Sequence, residues 1–424
     1  MTLAQAVAFA QDHNLNVQEA FSQAVSAAAS LAKARSLQLP LIQGQLQNIM
    51  TKQSASNSGT FAQFGLTPST NFSQNTAALL SSLNVFNLSD TLGARQARNS
   101  LDAALENLRL VREQTTLDAE TSYYTYLQDV DIANVDASAL AYNKGLLDIA
   151  TANYSAGRVA GIDRLKAQVQ VTASDEQLAS AKADAEDARE NLALVIGADP
   201  QTQFVQLASI PVPQQPALDG ARLNAVALTH RPEIAAAQDN LANSVIANQL
   251  IDAPNRPIVS FSSAWGNQES PTAHAQQIAA CQANPLTVPC PGATHFYNVG
   301  LESTWTLPFL DWGATHSSHT SARAAIGAQQ VTLDNTKRQA LVDVDQAVRR
   351  LQVDRANLSS AAANAQLAKQ VADISQVQYK VGVTGQIDAV SSEQSYLQAA
   401  MNLLAAQVAY VLGVEKLKLA TGTL

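Results

Sequence analysis

Long α-helices packed closely side by side, with a small β part, are what this sequence predicts, and three observations carry it. Of the 424 residues 46% are hydrophobic but only 5% aromatic, with alanine the most frequent of the apolar types. Alanine has the best helix propensity and lets backbones approach closely, so burial comes from helix–helix contact and not from a thick aromatic core. Apolar residues in two stretches alternate steps of three and four, the spacing of coiled coils. Four short segments instead alternate with period two, as half-buried strands do.

The helical stretches come first in weight. Ile387, Val390, Gln394, Leu397, Met401, Leu404, Val408 and Val411 form one seam, and Val171, Leu178, Ala181, Ala185, Ala188, Leu192 and Val195 form another. From about 89 to 153 a single helix of about 60 residues is predicted, around 90 Å long, a length that suits a bundle or tube.

The strands follow. Tyr297, Val299, Leu301, Ser303, Trp305 and Leu307 share one face, with Asn298, Gly300, Glu302, Thr304 and Thr306 on the other. Val259, Phe261 and Trp265 alternate with Ser260, Ser262 and Ala264, and Ile42, Gly44 and Leu46 with Gln43, Gln45 and Gln47. The segment from Leu79 to Phe86 alternates least cleanly. An apolar outer face with aromatics near the strand ends is the pattern of a transmembrane barrel, although a sheet packed on helices alternates in the same way. Four strands cannot close a barrel, whereas three copies would supply twelve.

The chain repeats itself once. Asp12 to Val17 resembles Thr229 to Ile234, and Pro40-Leu41-Ile42 resembles Pro257-Ile258-Val259. Leu83 to Ser89 falls on Leu307 to Gly313, and Tyr154-Ser155-Ala156-Gly157 on Tyr379-Lys380-Val381-Gly382, with Ile162-Asp163 on Ile387-Asp388. The expected organisation is therefore a first repeat over 1–210 and a second over 211–424. The first holds a helix, strands at about 40–50 and 77–88, and a helical hairpin at about 89–197. The second holds a helix, strands at about 257–266 and 296–308, and a hairpin at about 313–420. Proline-rich 199–220 reads as the connector. The polar loops between paired strands run over about 51–75 and 267–295.

Function classes narrow by charge and motif. A net charge of −9 argues against nucleic acid, which demands a basic face. No run of about 18–20 consecutive apolar residues is present for a membrane-spanning helix, which leaves a barrel open. Met1-Thr2-Leu3 shows no secretory signal. Cys281 and Cys290 sit in a polar stretch; their spacing favours a disulfide-closed loop in an oxidising compartment over free thiols or a metal site with His274 or His295. His316 and His319 could chelate a metal with Asp311 but read as a solvated or lumen-facing pair. Asp184 with Asp187 and Asp343 with Asp345 read as solvated helix faces. His13 and His230 are repeat equivalents and point to architecture. No phosphate loop, nucleophile elbow or zinc signature appears, so no enzyme and no cofactor is expected.

The ordered landmarks His230-Arg231-Pro232-Glu233-Ile234, Pro257, Leu307-Pro308-Phe309-Leu310-Asp311-Trp312-Gly313, Tyr379-Lys380-Val381-Gly382 and Ile387-Asp388, with weaker copies in the first half, resemble the TolC-like outer-membrane efflux and secretion factors. The resemblance implies a homotrimer with a twelve-stranded barrel in the outer membrane of a Gram-negative cell and an α-helical tunnel reaching into the periplasm. It implies a passive duct that docks a periplasmic adaptor protein and an inner-membrane transporter, and exports drugs, other small molecules or polypeptides. Phe261, Trp265, Tyr297 and Trp305 would face lipid as an aromatic girdle. Asp388 and Asp163 would narrow the periplasmic entrance, and Gly157, Arg158, Gly382 and Val383 would form the adaptor-docking turns. Ser391, where some members carry a second acid, and Thr384, the nearest residue to a position where some members carry a latching arginine, depart from that pattern. The competing reading is a periplasmic adaptor-like or structural helical-hairpin protein.

Overall fold

The computed structural model describes residues 1–54, 69–157, 160–205, 210–269, 282, 294–307 and 309–424. Cys281, Cys290 and Arg158 lie outside the described residues. The chain is mainly helical, with one four-stranded antiparallel sheet of order β1-β2-β3-β4. In chain order the elements are α1 (Leu3–His13), α2 (Leu15–Ser36), β1 (Leu41–Ser54), β2 (Ser69–Phe86), α3 (Leu88–Ser155), α4 (Gly161–Ile196), α5 (Gly220–His230) and α6 (Pro232–Leu250). A 3-10 turn at Ala253–Asn255 leads to β3 (Ile258–Glu269), β4 (Thr294–Thr304), α7 (Ala314–Lys380) and α8 (Gln386–Thr421). By internal contacts the chain divides into one unit of residues 1–25, 102–240 and 329–424, and another of residues 26–101 and 241–328.

In the first unit the core is built from seams of small residues. Ala119, Tyr123, Tyr124, Leu127, Ala188, Leu192, Ile196, Val408, Val411 and Leu412 bury together with Ala6 and Ala10 of α1. Leu351, Tyr410, Val414 and Leu417 make a second cluster. Asn143 Nδ2 donates to Ser174 Oγ at 2.7 Å, a buried polar pair between α3 and α4. Among the described residues α8 is apolar enough, by length and composition, to cross a membrane. The sequence hides this because Gln398, Asn402 and Gln407 interrupt every apolar run. Val408, Val411 and Leu412 of α8 belong to the first cluster and Tyr410, Val414 and Leu417 to the second, as residues of a core helix do.

Two helix ends meet two helix breaks in the same way. Gly197, after α4, has φ 75° and sits where a Cβ would lie 2.7 Å from the His13 carbonyl oxygen. Gly422, after α8, has φ 69° and would place a Cβ 2.8 Å from the His230 carbonyl oxygen. His13 and His230 in turn each set Nδ1 3.1 Å from the carbonyl four residues back, Phe9 and Val226. Arg189 is buried and donates to the carbonyls of Pro200 and Thr202 while pairing with Glu186 at 2.7 Å, which ties the connector to α4.

In the second unit the strands pair with Leu41 opposite Ser82, Leu79 opposite Trp265, and Trp265 opposite Tyr297. β1 and β4 each keep one side unpaired among the described residues. β2 begins at Ser69, well before the expected 77, and β1 runs to Ser54. Their Ser, Thr, Asn and Gln content reads as loop, yet backbone pairing carries the hairpin, and Asn48 Nδ2 donates to Asn75 Oδ1 at 2.5 Å across it. β4 stops at Thr304, and the Trp305 indole donates to the Asn255 carbonyl at 3.0 Å.

His319 is partly buried. Its ring lies 2.9 Å from Asn248 Oδ1 and 3.0 Å from Asp252 Oδ1, while His316 is exposed, so the two do not converge. Asp343 is partly exposed and accepts from Arg231 at 2.8 Å, while Asp345 is exposed. Trp312 adopts φ 52°, a left-handed conformation that costs a non-glycine residue about 1–2 kcal/mol.

Candidate functional site

Three features of the two units invite a functional reading: the helix turns, a buried acid, and the outer face of the sheet. The turns come first. After α3, Gly157 has φ 68° and its amide donates to the Tyr154 carbonyl at 2.9 Å. After α7, Gly382 has φ 80°, and the Val383 amide reaches back to the Gln378 carbonyl at 2.9 Å, a left-handed helix cap. A Cβ on either glycine would meet open space.

Asp163 and Asp388 occupy the first turns of α4 and α8, where the helix dipole favours negative charge. Asp163 is half-buried and pushes the Tyr379 phenol up, second to burial as a cause. Gln386, with its amide oriented to satisfy both partners, donates to the Asp163 carbonyl at 3.0 Å and accepts from the Ala167 amide at 3.3 Å. Asp388 is exposed. The structure therefore brings Asp163, Tyr379 and Gln386 together and leaves the Asp388 side chain exposed.

Behind the turns Tyr142 donates to the Ala389 carbonyl at 3.4 Å, and burial, then Glu393 and Tyr379, push its phenol up to about 12. Glu393 is itself raised, by burial and then by Asp373. The heptad seams lose their cover here: Ile162, Leu165, Val169 and Ile387 are exposed and line a groove of about 480 Å³ between α4 and α8, with Ser391 on its rim. The Thr384 hydroxyl is buried without a partner among the described residues.

Sequence reading missed the acid at Glu120 of α3. Burial, then the Glu415 carboxylate of α8, raise it to about 7, against a smaller lowering by Lys418. One of its oxygens is buried with no hydrogen bond. A carboxyl raised in the folded state stabilises the fold below its unfolded value of about 4.5, and that contribution is lost as pH rises through about 7. The wild type is therefore expected to melt lower at pH 8 than at pH 5. Glu120→Gln should flatten that difference, measured by circular dichroism in detergent.

On the sheet, one face carries Leu46, Trp265, Tyr297, Val299 and Leu301, all exposed, with Tyr297 at 85%. Trp265 pairs with Tyr297, and Phe261 with Leu301, so the aromatics occupy two levels along the strands.

Residues 223–423 match the family model described as outer membrane efflux protein. That segment, just under half of the chain, is what resembles the family. Comparison with curated proteins finds no matching sequence. Solved structures extend the likeness of fold to the whole chain. The outer-membrane channel OprN superposes with a TM-score of 0.78 at 19% identity, covering 99% of this chain and 89% of that one. The Campylobacter jejuni CmeC outer membrane channel gives 0.77 at 18%, covering 99% and 85%. The Vibrio cholerae outer membrane protein VceC gives 0.76 at 18%, covering 99% and 96%. At such identities the likeness speaks for the fold alone.

Proposed function

We propose that this protein is the outer-membrane exit duct of a tripartite efflux pump or secretion system, a passive conduit in the outer membrane that extends into the periplasm. The observation that carries it is the sheet: four strands with one apolar face uncovered and both edges unpaired among the described residues, on a chain whose residues 223–423 match an efflux family model. Such a sheet satisfies its edge amides in lipid only by closing with other copies. Three copies close a twelve-stranded barrel, with Phe261, Trp265, Tyr297 and Trp305 toward lipid.

The paired lengths of α3 and α7, 68 and 67 residues, and of α4 and α8, 36 each, support an internal duplication with halves 1–210 and 211–424. Exposed Asp388 is the better candidate for a ring of carboxylates at the periplasmic entrance, and Asp163 for a brace behind it. The uncovered Gly157, Gly382 and Val383, with Arg158 between the first pair of helices, are the surface offered to an adaptor protein, and an inner-membrane transporter supplies the energy.

The test is the protein mass of detergent-purified material with the detergent subtracted. A trimer that precipitates without detergent is expected, and a detergent-free soluble monomer would overturn the duct. In planar bilayers Asp388→Asn is expected to lower cation-over-anion permeability about threefold by removing charge that concentrates cations at the mouth. An unchanged ratio would remove Asp388 from the constriction.

A further inference from the structure

One helix face is buried in the first half of the chain and bare in the second. The register that carries Gly157 onto Gly382, Asp163 onto Asp388 and Gly197 onto Gly422 also carries Leu117, Glu120 and Tyr124 of α3 onto Val342, Asp345 and Arg349 of α7. Leu117 and Tyr124 are buried, and Glu120 is partly buried. Val342, by contrast, is 44% exposed, and Asp345 and Arg349 are exposed with it.

The helix that covers the α3 face is α8. Tyr123, Tyr124 and Leu127 share a core with Val408, Val411 and Leu412. Burial and then the Glu415 carboxylate raise Glu120, and burial, Glu120 and Glu415 raise Tyr124, so these three groups lie together. The same register carries Glu186, Asp187 and Glu190 of α4 onto Val411, Leu412 and Glu415 of α8. All three acids are exposed; the Glu190 side chain is 59% exposed against 15% for Glu415. Both halves of the α3–α8 joint therefore recur in the chain, and neither recurrence is covered.

The two bare faces lie on opposite flanks of the bundle. α3 packs between α4 and α8, and α8 packs between α3 and α7, which leaves α4 and α7 as the outermost of the four. Two different faces that fit each other build a closed ring when copies join head to tail. Their charges are opposite. Residues 184–190 of α4 hold four acids and one arginine, and residues 349–355 of α7 hold three arginines and one aspartate. That α4 arginine, Arg189, is buried and bound to Glu186, while Arg349 makes no hydrogen bond or ion pair among the described residues.

We propose that α7 of one copy docks on α4 of the next in a charged replica of the α3–α8 joint, with Arg349 seated against Glu190 of the next copy. The inference rests on the three-copy duct and on the internal duplication, and adds which side chains meet. The difference in chemistry has a physical reason. The joint within a chain closes as the chain folds and can be apolar, whereas the joint between copies stays wet until they meet. Paired charges tolerate that interval and fix the register on docking.

The test puts the photoreactive residue p-benzoylphenylalanine in place of Arg349 in the full-length chain, at an exposed position where folding is not at stake. Irradiated in detergent, the protein is expected to give products of two and three chains, with the crosslink mapped by mass spectrometry to α4 beside Glu190. A crosslink confined to one chain, or landing elsewhere on another copy, would overturn the joint. In that case a trimeric mass leaves the duct standing, and a monomeric mass removes both. Charge is read separately. Arg349→Glu is expected to speed subunit exchange between differently tagged trimers about tenfold at low salt, since like charges then face each other. High salt should shrink the difference. Exchange at the wild-type rate would remove the ion pair.

Discussion

Gly422→Val is expected to cost about 4 kcal/mol of stability and to strip the chain of its folded form at moderate temperature. Two costs add. A branched residue at φ 69° pays about 1–2 kcal/mol for the left-handed backbone. Its Cβ would also lie 2.8 Å from the His230 carbonyl oxygen and 3.0 Å from the Arg231 amide nitrogen, both backbone atoms that cannot swing aside. Arg109 donates to the Gly422 carbonyl at 2.9 Å, so a shift there also disturbs α3. Gly197→Val should behave alike, with the His13 carbonyl as the obstacle. The control is Gly382→Ala, where φ is 80° but the space is open, and about 1 kcal/mol is expected. Thermal melting in detergent compares them. Equal losses at Gly422 and Gly382 would show that the close approach to His230 contributes nothing.

Arg189→Met is the second large effect, at about 3 kcal/mol. The thioether fills much of the buried space but donates nothing, so the carbonyls of Pro200 and Thr202 lose their partner and Glu186 its counter-ion. A hydrogen bond to a charged group is worth about 1.5–3 kcal/mol, and a buried acceptor left bare adds its desolvation cost. Glu186 stays largely exposed and adds little. The connector should loosen before the bundle does, so proteolysis within 199–220 in folded protein is the sensitive measurement. A variant that resists cleavage like the wild type would mean that the connector is held by Tyr123, whose hydroxyl donates to the Val205 carbonyl at 2.7 Å.

Much of this was legible in the chain, and the reasons divide by distance along it. The turn glycines at 157 and 382 could be found because each follows a tyrosine by three residues in a repeated phrase, and their conformation is a local property. Gly197 and Gly422 do the same local job, but their intolerance comes from His13 and His230, some 180–190 residues away in each case. No local signal announces that. Asp163 and Asp388 look alike as first-turn acids; only the packing of Tyr379 and Gln386 separates a half-buried brace from an exposed carboxylate. Glu120 and Arg189 sit on helix faces whose period is plain, yet the period does not say that Glu415 or the Pro200 carbonyl stands opposite. The four strands were found by alternation, and the far ends of β1 and β2 were missed because Asn, Ser and Thr there pair through the backbone with little apolar content.

The two unpaired strand sides have a genetic consequence. If β1 of one copy completes β4 of the next, a lesion that blocks pairing at β4 without unfolding the chain leaves a product able to join a ring but not to close it. With mutant and normal alleles expressed equally, only about one eighth of three-membered rings would be wholly normal, so such an allele should be dominant. Gly422→Val belongs to the opposite class. A chain that is largely unfolded seldom enters a ring, and its allele should be recessive.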